Sequence, residues 1–301
     1  MQKLPLVTVT CARDLALLEL QAQSIYKHLT PGHDVYIVVN EADPSEWQSI
    51  FDEKIKHYYT HQYLHTYYRH EFDAPWASWR PGMTNQWSSG WETQQILKLA
   101  IAKQIANPGY FVLDTQNFLI HPWSCSIENE KLPYRSGKFV MPIETWDAYA
   151  TALDTDIGYP TDDTLSICTP IFLNTHLVLS LIEYFKGLAE FSKWFKSTRN
   201  KSEFILYLLW AEKNGGLDKF HYKVNDWGNP MLRDGPNFDA DFEYFVGFIG
   251  QHKPHVWVSA NHRSWGDMND FQYHAVCSKL KEYGLEPNFA EYRKDYLTKY
   301  R

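Results

Sequence analysis

The chain has 301 residues, a hydrophobic fraction of 44%, a charged fraction of 22% and a formal net charge of −7. Those figures suit one large α/β domain and exclude a disordered or fibrous chain. The acidic balance argues against a protein that coats nucleic acid. Aromatic residues reach 16%, from 20 Tyr, 17 Phe and 12 Trp. Rings in that number pack a core or line a surface that stacks on flat ligands. No apolar run is long enough to span a bilayer, and Met1–Pro5 lacks the regions of a secretory leader. The cysteines (Cys11, Cys125, Cys168, Cys277) are far apart and form no CxxC pair, which fits reduced thiols. The expected location is therefore cytoplasmic, compatible with peripheral association at the inner face of the membrane.

Leu4–Thr10 is an apolar, β-branched run and predicts a buried strand. Asp14 is placed to cap a helix on which Leu15, Leu18, Ala22, Ile25 and Leu29 form one stripe, ended by Thr30-Pro31-Gly32. Val35–Val39 predicts a second strand, and Lys54–Tyr59 a third. This β-α-β opening implies a parallel sheet. The aromatic residues 60–90, with Trp76, Trp79 and Trp87, read as a long surface excursion. Trp91–Ala106 predicts a helix and Tyr110–Leu113 a buried strand ending at Asp114. Further on, Lys138–Ile143 and Leu165–Leu173 read as strands. Thr175–Leu188 and Ser202–Lys213 read as helices, the latter opened by Ser202 and closed by Gly215-Gly216. Pro254–Ser259 predicts a late strand, with terminal helices over 270–284 and 289–300. The expected architecture is one α/β domain over 1–301, with a mostly parallel sheet flanked by helices. Residues 1–125 form a ligand-binding half and 126–301 a second lobe.

Open parallel sheets bind ligands outside the carboxyl ends of their strands. That rule selects Thr10-Cys11-Ala12-Arg13-Asp14 after the first strand, Asn40-Glu41 after the second, and Asp114-Thr115-Gln116-Asn117 after the fourth. The chain has no GxGxxG, no GxxxxGK[ST] and no GxSxG, which disfavours a dinucleotide fold, a P-loop ATPase and a serine hydrolase. A carboxylate at a strand mouth such as Asp114 suits a divalent cation, Mn²⁺ or Mg²⁺, that would bridge diphosphate oxygens. His57, His61 and His65 are spaced to align on a helix, but the Tyr-rich context favours scattering them.

Gly90-Trp91-Glu92-Thr93-Gln94-Gln95-Ile96-Leu97-Lys98-Leu99, followed by Tyr110-Phe111-Val112-Leu113-Asp114-Thr115-Gln116-Asn117, resembles the GT-A glycosyltransferases. The likeness is to a bacterial branch with GW-x-x-QQ-x-x-KL before a DxD motif. Val7–Leu15 and Ser202–Tyr207 extend it. The resemblance implies transfer of a sugar from a nucleotide-sugar donor to a glycan or glycolipid hydroxyl in surface polysaccharide synthesis, with inversion. It places Asp114 at the first Asp of the DxD and Gln116 where the second usually stands. Asp154-Thr155-Asp156 spells a literal DxD, but in a polar loop. Gln94, Gln95 and Lys98 become donor-binding candidates, and Glu203 the general base. His262 becomes a metal ligand with Asp114 and Gln116, and Arg263 a diphosphate ligand. Trp87, Trp91 and Thr169 are the acceptor-side candidates. The alternatives are a nucleotidyltransferase, disfavoured by the lack of glycine in Thr10–Asp14, and a non-catalytic sugar-binding relative, kept open by Gln116.

Overall fold

The computed structural model describes residues 3–74, 86–124, 127, 131–137, 143–160, 164–165, 168–197, 202–224, 231–232, 238–249, 257–260, 264–265 and 268–287. Its centre is a five-stranded sheet of β1 (Leu6–Thr10), β2 (Asp34–Val39), β3 (Tyr63–Tyr68), β4 (Gly109–Asp114) and β8 (Ile171–Asn174), in the order β3-β2-β1-β4-β8. The first four strands run parallel and β8 is antiparallel to β4. The expected mixed α/β fold with a mostly parallel sheet is what the chain adopts.

Alternation along each strand divides its side chains between two cores. Val7, Val9, Tyr36, Val38, Tyr110 and Val112 face one side and pack with α3 (Gln86–Ala100), α5 (Thr175–Tyr184) and α7 (Glu203–Lys213). Leu6, Val35, Ile37, Val39, Phe111 and Leu113 face the other and pack with α1 (Leu15–His28). A third core surrounds a small sheet of β5 (Asn117–Leu119), β10 (Met231–Leu232) and β11 (Trp257–Ala260). It is covered by α8 (Phe238–Ile249) and α9 (Asp270–Glu282). β6 (Leu132–Gly137), β7 (Thr164–Leu165) and β9 (His221–Val224) make another three-stranded sheet.

Several elements differ from expectation. Lys54–Tyr59 is not a strand: Phe51–Ile55 forms a π-type turn and Lys56–Tyr59 a 3-10 helix after α2 (Ser45–Ile50). Trp47, Phe51, Ile55 and Tyr59 recur every four residues, all buried, so helical spacing prevails over β-propensity. The third strand is β3, whose side chains are mostly half-exposed, as suits a sheet edge. Ile143 opens α4 (Ile143–Ala152) instead of ending a strand. The helix from Thr175 stops at Tyr184. Gly187, at φ 104°, turns the chain into a separate helix, α6 (Leu188–Ser197). Pro170 divides Leu165–Leu173 into β7 and β8. Ser202 does cap α7, its hydroxyl accepting from Ile205 N at 3.4 Å. Asp14 precedes α1 but makes no side-chain cap bond; its carboxylate accepts from Cys11 Sγ at 3.3 Å. Residues 138–142, 254–256 and 289–300 lie outside the described residues. No helix among the described residues is long and apolar enough to cross a membrane.

Candidate active site

Parallel β1, β2 and β4 end together. Thr10 pairs with Val39 and Val9 with Asp114, so Thr10, Asn40 and Asp114 come to one edge of the sheet. Because β8 is antiparallel, the residues before it, including Thr169, reach the same edge. Helix α3 is tied across this edge by two hydrogen bonds. Asn40 Nδ2 donates to Gly90 O at 3.0 Å, and Gln94 Nε2 donates to Val9 O at 3.4 Å.

Lys98, in the last turn of α3, occupies the centre of the site. Its ammonium lies 2.8 Å from Asp114 Oδ1 and 3.2 Å from Glu203 Oε1. The side chains of Lys98 and Glu203 are 3% and 2% exposed, whereas that of Asp114 is 24% exposed. The lysine thus joins a buried carboxylate to a carboxylate that reaches solvent. Gln95 completes the group. In the amide orientation that its neighbours require, its nitrogen donates to both oxygens of Glu203 and its oxygen accepts from Trp91 Nε1 at 2.9 Å. The face of Phe204 lies 5.1 Å from Lys98 Nζ, within cation–π range. Tyr110 O–H donates to the Lys98 carbonyl at 2.9 Å, fixing the backbone beneath the ammonium.

Burial alone would lower the pKa of Lys98, but Asp114 and Glu203 outweigh it and hold it above the usual lysine range. Burial raises the pKa of Glu203, and the neighbouring Lys98 only partly offsets this. A buried charge persists only where partners replace its water. One ammonium between two carboxylates, each with a further hydrogen-bond donor, meets that requirement.

Asp114 is held from several directions. Its Oδ2 accepts from Thr169 Oγ1 at 2.6 Å, and its backbone N–H donates to Asn117 Oδ1 at 2.7 Å. Gln21 Nε2 donates to the carbonyls of Asp114 (2.7 Å) and Asn117 (3.1 Å), while its own oxygen accepts from Thr8 Oγ1 at 2.8 Å. Asn117 Nδ2 donates to Ser259 Oγ, its cross-strand partner in the small sheet, at 2.5 Å, so its side chain ties the end of β4 to that sheet. Gln21 was not singled out in the sequence, and Asn117 only as the last residue of the segment after the fourth strand. The signal for Gln21 was a polar residue on the apolar stripe of α1, three positions after Leu18. Nothing in the sequence distinguished Asn117 within its segment, because Thr169 and Ser259, which its amide meets, come from distant parts of the chain.

The structure brings Asp114, Lys98, Gln95, Glu203 and Thr169 into one cluster. Thr169, expected on the acceptor side, is 2% exposed and directs its hydroxyl at Asp114. Thr10 is also 2% exposed. Cys11 is half-buried; burial and Asp14 push its thiol pKa up. Arg13 is exposed beside Asp14, 3.4 Å from its Oδ1. Thr115 is buried, and Gln116 is half-buried with its carbonyl accepting from Ala260 N at 3.2 Å. Trp91 is 46% exposed. The backbone of Trp87 opens α3, but its side chain lies outside the described residues, as do Trp76, Trp79, His262 and Arg263.

Among the described residues no group of three or more His, Cys, Asp or Glu is placed to hold a metal ion. His57, His61 and His65 are scattered over a 3-10 helix, a turn and β3. His61 stacks on Tyr26 and His65 on Tyr36. Asp154 lies after α4, exposed and at φ 48°, its carbonyl accepting from Lys213 Nζ at 3.0 Å. That placement takes the literal DxD away from any strand mouth.

The fold is GT-A-like, and solved structures similar to it include glycosyltransferases. The galactosyltransferase LgtC, solved in complex with donor and acceptor sugar analogs, superposes with a TM-score of 0.53 at 10% identity, covering 97% of this chain and 99% of LgtC. The bifunctional glycosyltransferase WbbM, in its apo structure, gives a TM-score of 0.55 at 12% identity. That match covers 97% of this chain and 51% of WbbM, so the chain spans about half the length of that protein. The chain belongs to the family described as a family of unknown function, DUF6492, whose model matches residues 1–238. A sequence comparison with curated proteins finds no match.

Proposed function

We propose that this chain is a glycosyltransferase that takes a sugar from a nucleotide-sugar donor and transfers it to a hydroxyl of a glycan or glycolipid acceptor. The observation that carries the reading is Asp114. It is a partly exposed carboxylate at the mouth of a buried parallel strand, locked in place by Lys98 and Thr169, in a fold shared with glycosyltransferases. A carboxylate so fixed orients a donor hydroxyl without reorganising during the reaction. Asn40 would line the same donor edge, with the buried Thr10 and Thr115 forming its floor. The half-exposed indole of Trp91 offers a face for an acceptor ring. Surface polysaccharide assembly on the cytoplasmic side of a membrane is the setting this reading favours.

Glu203 takes a different part from that of a general base. A base must lie within hydrogen-bond reach of the acceptor proton. Glu203 is enclosed, with its oxygens facing Lys98 and Gln95, and so acts as a positioning residue that holds Lys98 under Asp114. An inverting displacement would then draw its base from another residue.

The test is release of nucleotide from a panel of sugar nucleotides. Turnover with at least one donor is expected, with a loss of about 100-fold or more in Asp114→Asn. Glu203→Gln should retain measurable turnover, whereas loss of a base would cost roughly 100-fold to 10,000-fold. Absence of both turnover and thermal shift with every donor would sink the transferase reading. Thermal shift without turnover would favour the non-catalytic sugar-binding reading, which Gln116 supports.

A further inference from the structure

The resemblance to metal-using transferases implies a divalent cation at Asp114, with Gln116 and His262 as further ligands. Asp114 and Gln116 are the described members of that set, and they do not fit it. Asp114 Oδ1 already faces an ammonium at 2.8 Å and Oδ2 accepts a hydroxyl proton at 2.6 Å. A small dication bound to Oδ1 at about 2.1 Å would lie within about 5 Å of the lysine charge. Lys98 has no route to retreat. Its side chain is 3% exposed, its carbonyl is held by Tyr110, and Glu203 and Phe204 close around its head. Gln116 supplies a neutral amide where a dication would favour a carboxylate.

We propose that Lys98 is the resident cation of this site: it takes at Asp114 the electrostatic place of a divalent metal, and Asp114 serves as a hydroxyl acceptor instead of a metal ligand. Glu203 and Gln95 keep the lysine charged and aimed. The inference rests on reading this edge as the donor site, but its test does not depend on turnover.

The full chain is titrated with Mn²⁺ alone, followed by calorimetry and by loss of the free-Mn²⁺ electron-spin-resonance signal. The wild type is expected to show no Asp114-dependent saturable site below about 1 mM. Saturable binding that is lost in Asp114→Asn overturns the proposal. Binding that survives Asp114→Asn lies elsewhere and agrees with it. The Lys98→Met/Glu203→Gln variant removes the ammonium without leaving a buried carboxylate alone. It should gain an Asp114-dependent Mn²⁺ site, at least about 10-fold tighter than any in the wild type, as the repulsion is removed. A double variant that is folded by circular dichroism and shows no gain also overturns the proposal. The wild-type and Asp114→Asn titrations decide the matter if the double variant does not fold.

Discussion

The ammonium of Lys98 lies 2.8 Å from the carboxylate of Asp114, joining the last turn of helix α3 to the last residue of strand β4. Behind it the buried Glu203, from the first turn of α7, completes a group of one ammonium and two carboxylates, of which only Asp114 reaches solvent. Removing one member leaves another without its counter-charge.

Lys98→Met alone should therefore destabilise the fold by about 3–5 kcal/mol, because it strands Glu203 as an unpaired buried charge. Adding Glu203→Gln should recover a substantial part of that loss. Urea unfolding of the wild type, both single variants and the double variant gives the coupling directly. Additive effects would contradict the pairing.

Asn117→Ala should cost about 1–3 kcal/mol, because the N–H of Asp114 loses its acceptor inside the protein. It should also lower turnover, since the Asp114 turn is no longer fixed against Ser259. Denaturation together with donor hydrolysis checks both. Unchanged turnover would show that the turn does not need this anchor.

His221 is 1% exposed and accepts from Tyr207 O–H through Nε2, while that hydroxyl accepts from Asn174 N. Burial pushes its pKa down to about 3, against the opposing effect of the Leu132 and Pro133 backbone. In the unfolded chain it titrates near 6.5, at about that value for a free imidazole. Its contribution to stability is therefore fully present above that pH. The contribution falls as pH drops toward the folded value, with a limiting slope of about 1.4 kcal/mol per pH unit. His221→Gln should flatten the acid limb of the stability profile between those two values. An unchanged limb would mean that other groups drive acid unfolding.

Gly109→Ala should destabilise by about 1–3 kcal/mol through overpacking. A Cβ there would meet Leu132 Cδ1 at 2.5 Å and Leu173 O at 3.0 Å. Leu132 is itself 1% exposed and has little room to move. A lower urea midpoint with an unchanged slope is the expected signature.

Local pattern was enough to reveal the frame of the molecule. Apolar β-branched runs located β1, β2 and β4, and a stripe at helical spacing located α1. Asp114 was legible as a strand-mouth carboxylate, because a polar residue ending a buried strand has few other places to be. Where the pattern failed, a competing period had prevailed, as at Trp47–Tyr59, or a glycine had broken a helix, as at Gly187.

Local pattern said nothing of how far each candidate side chain is buried. By sequence, Lys98 belonged with the donor-binding candidates, Glu203 with the bases and Thr169 with the acceptor contacts. The packing of α3 and α7 against the sheet puts all three inside, around Asp114. Lys98 and Glu203 are 105 residues apart in the chain. Only the tertiary fold brings two such charges together, and only in its low-dielectric interior does each require the other. The sequence thus determined the sheet and the strand-mouth edge that carries Asp114, while the packing decided which polar residues reach solvent there and which are held inside.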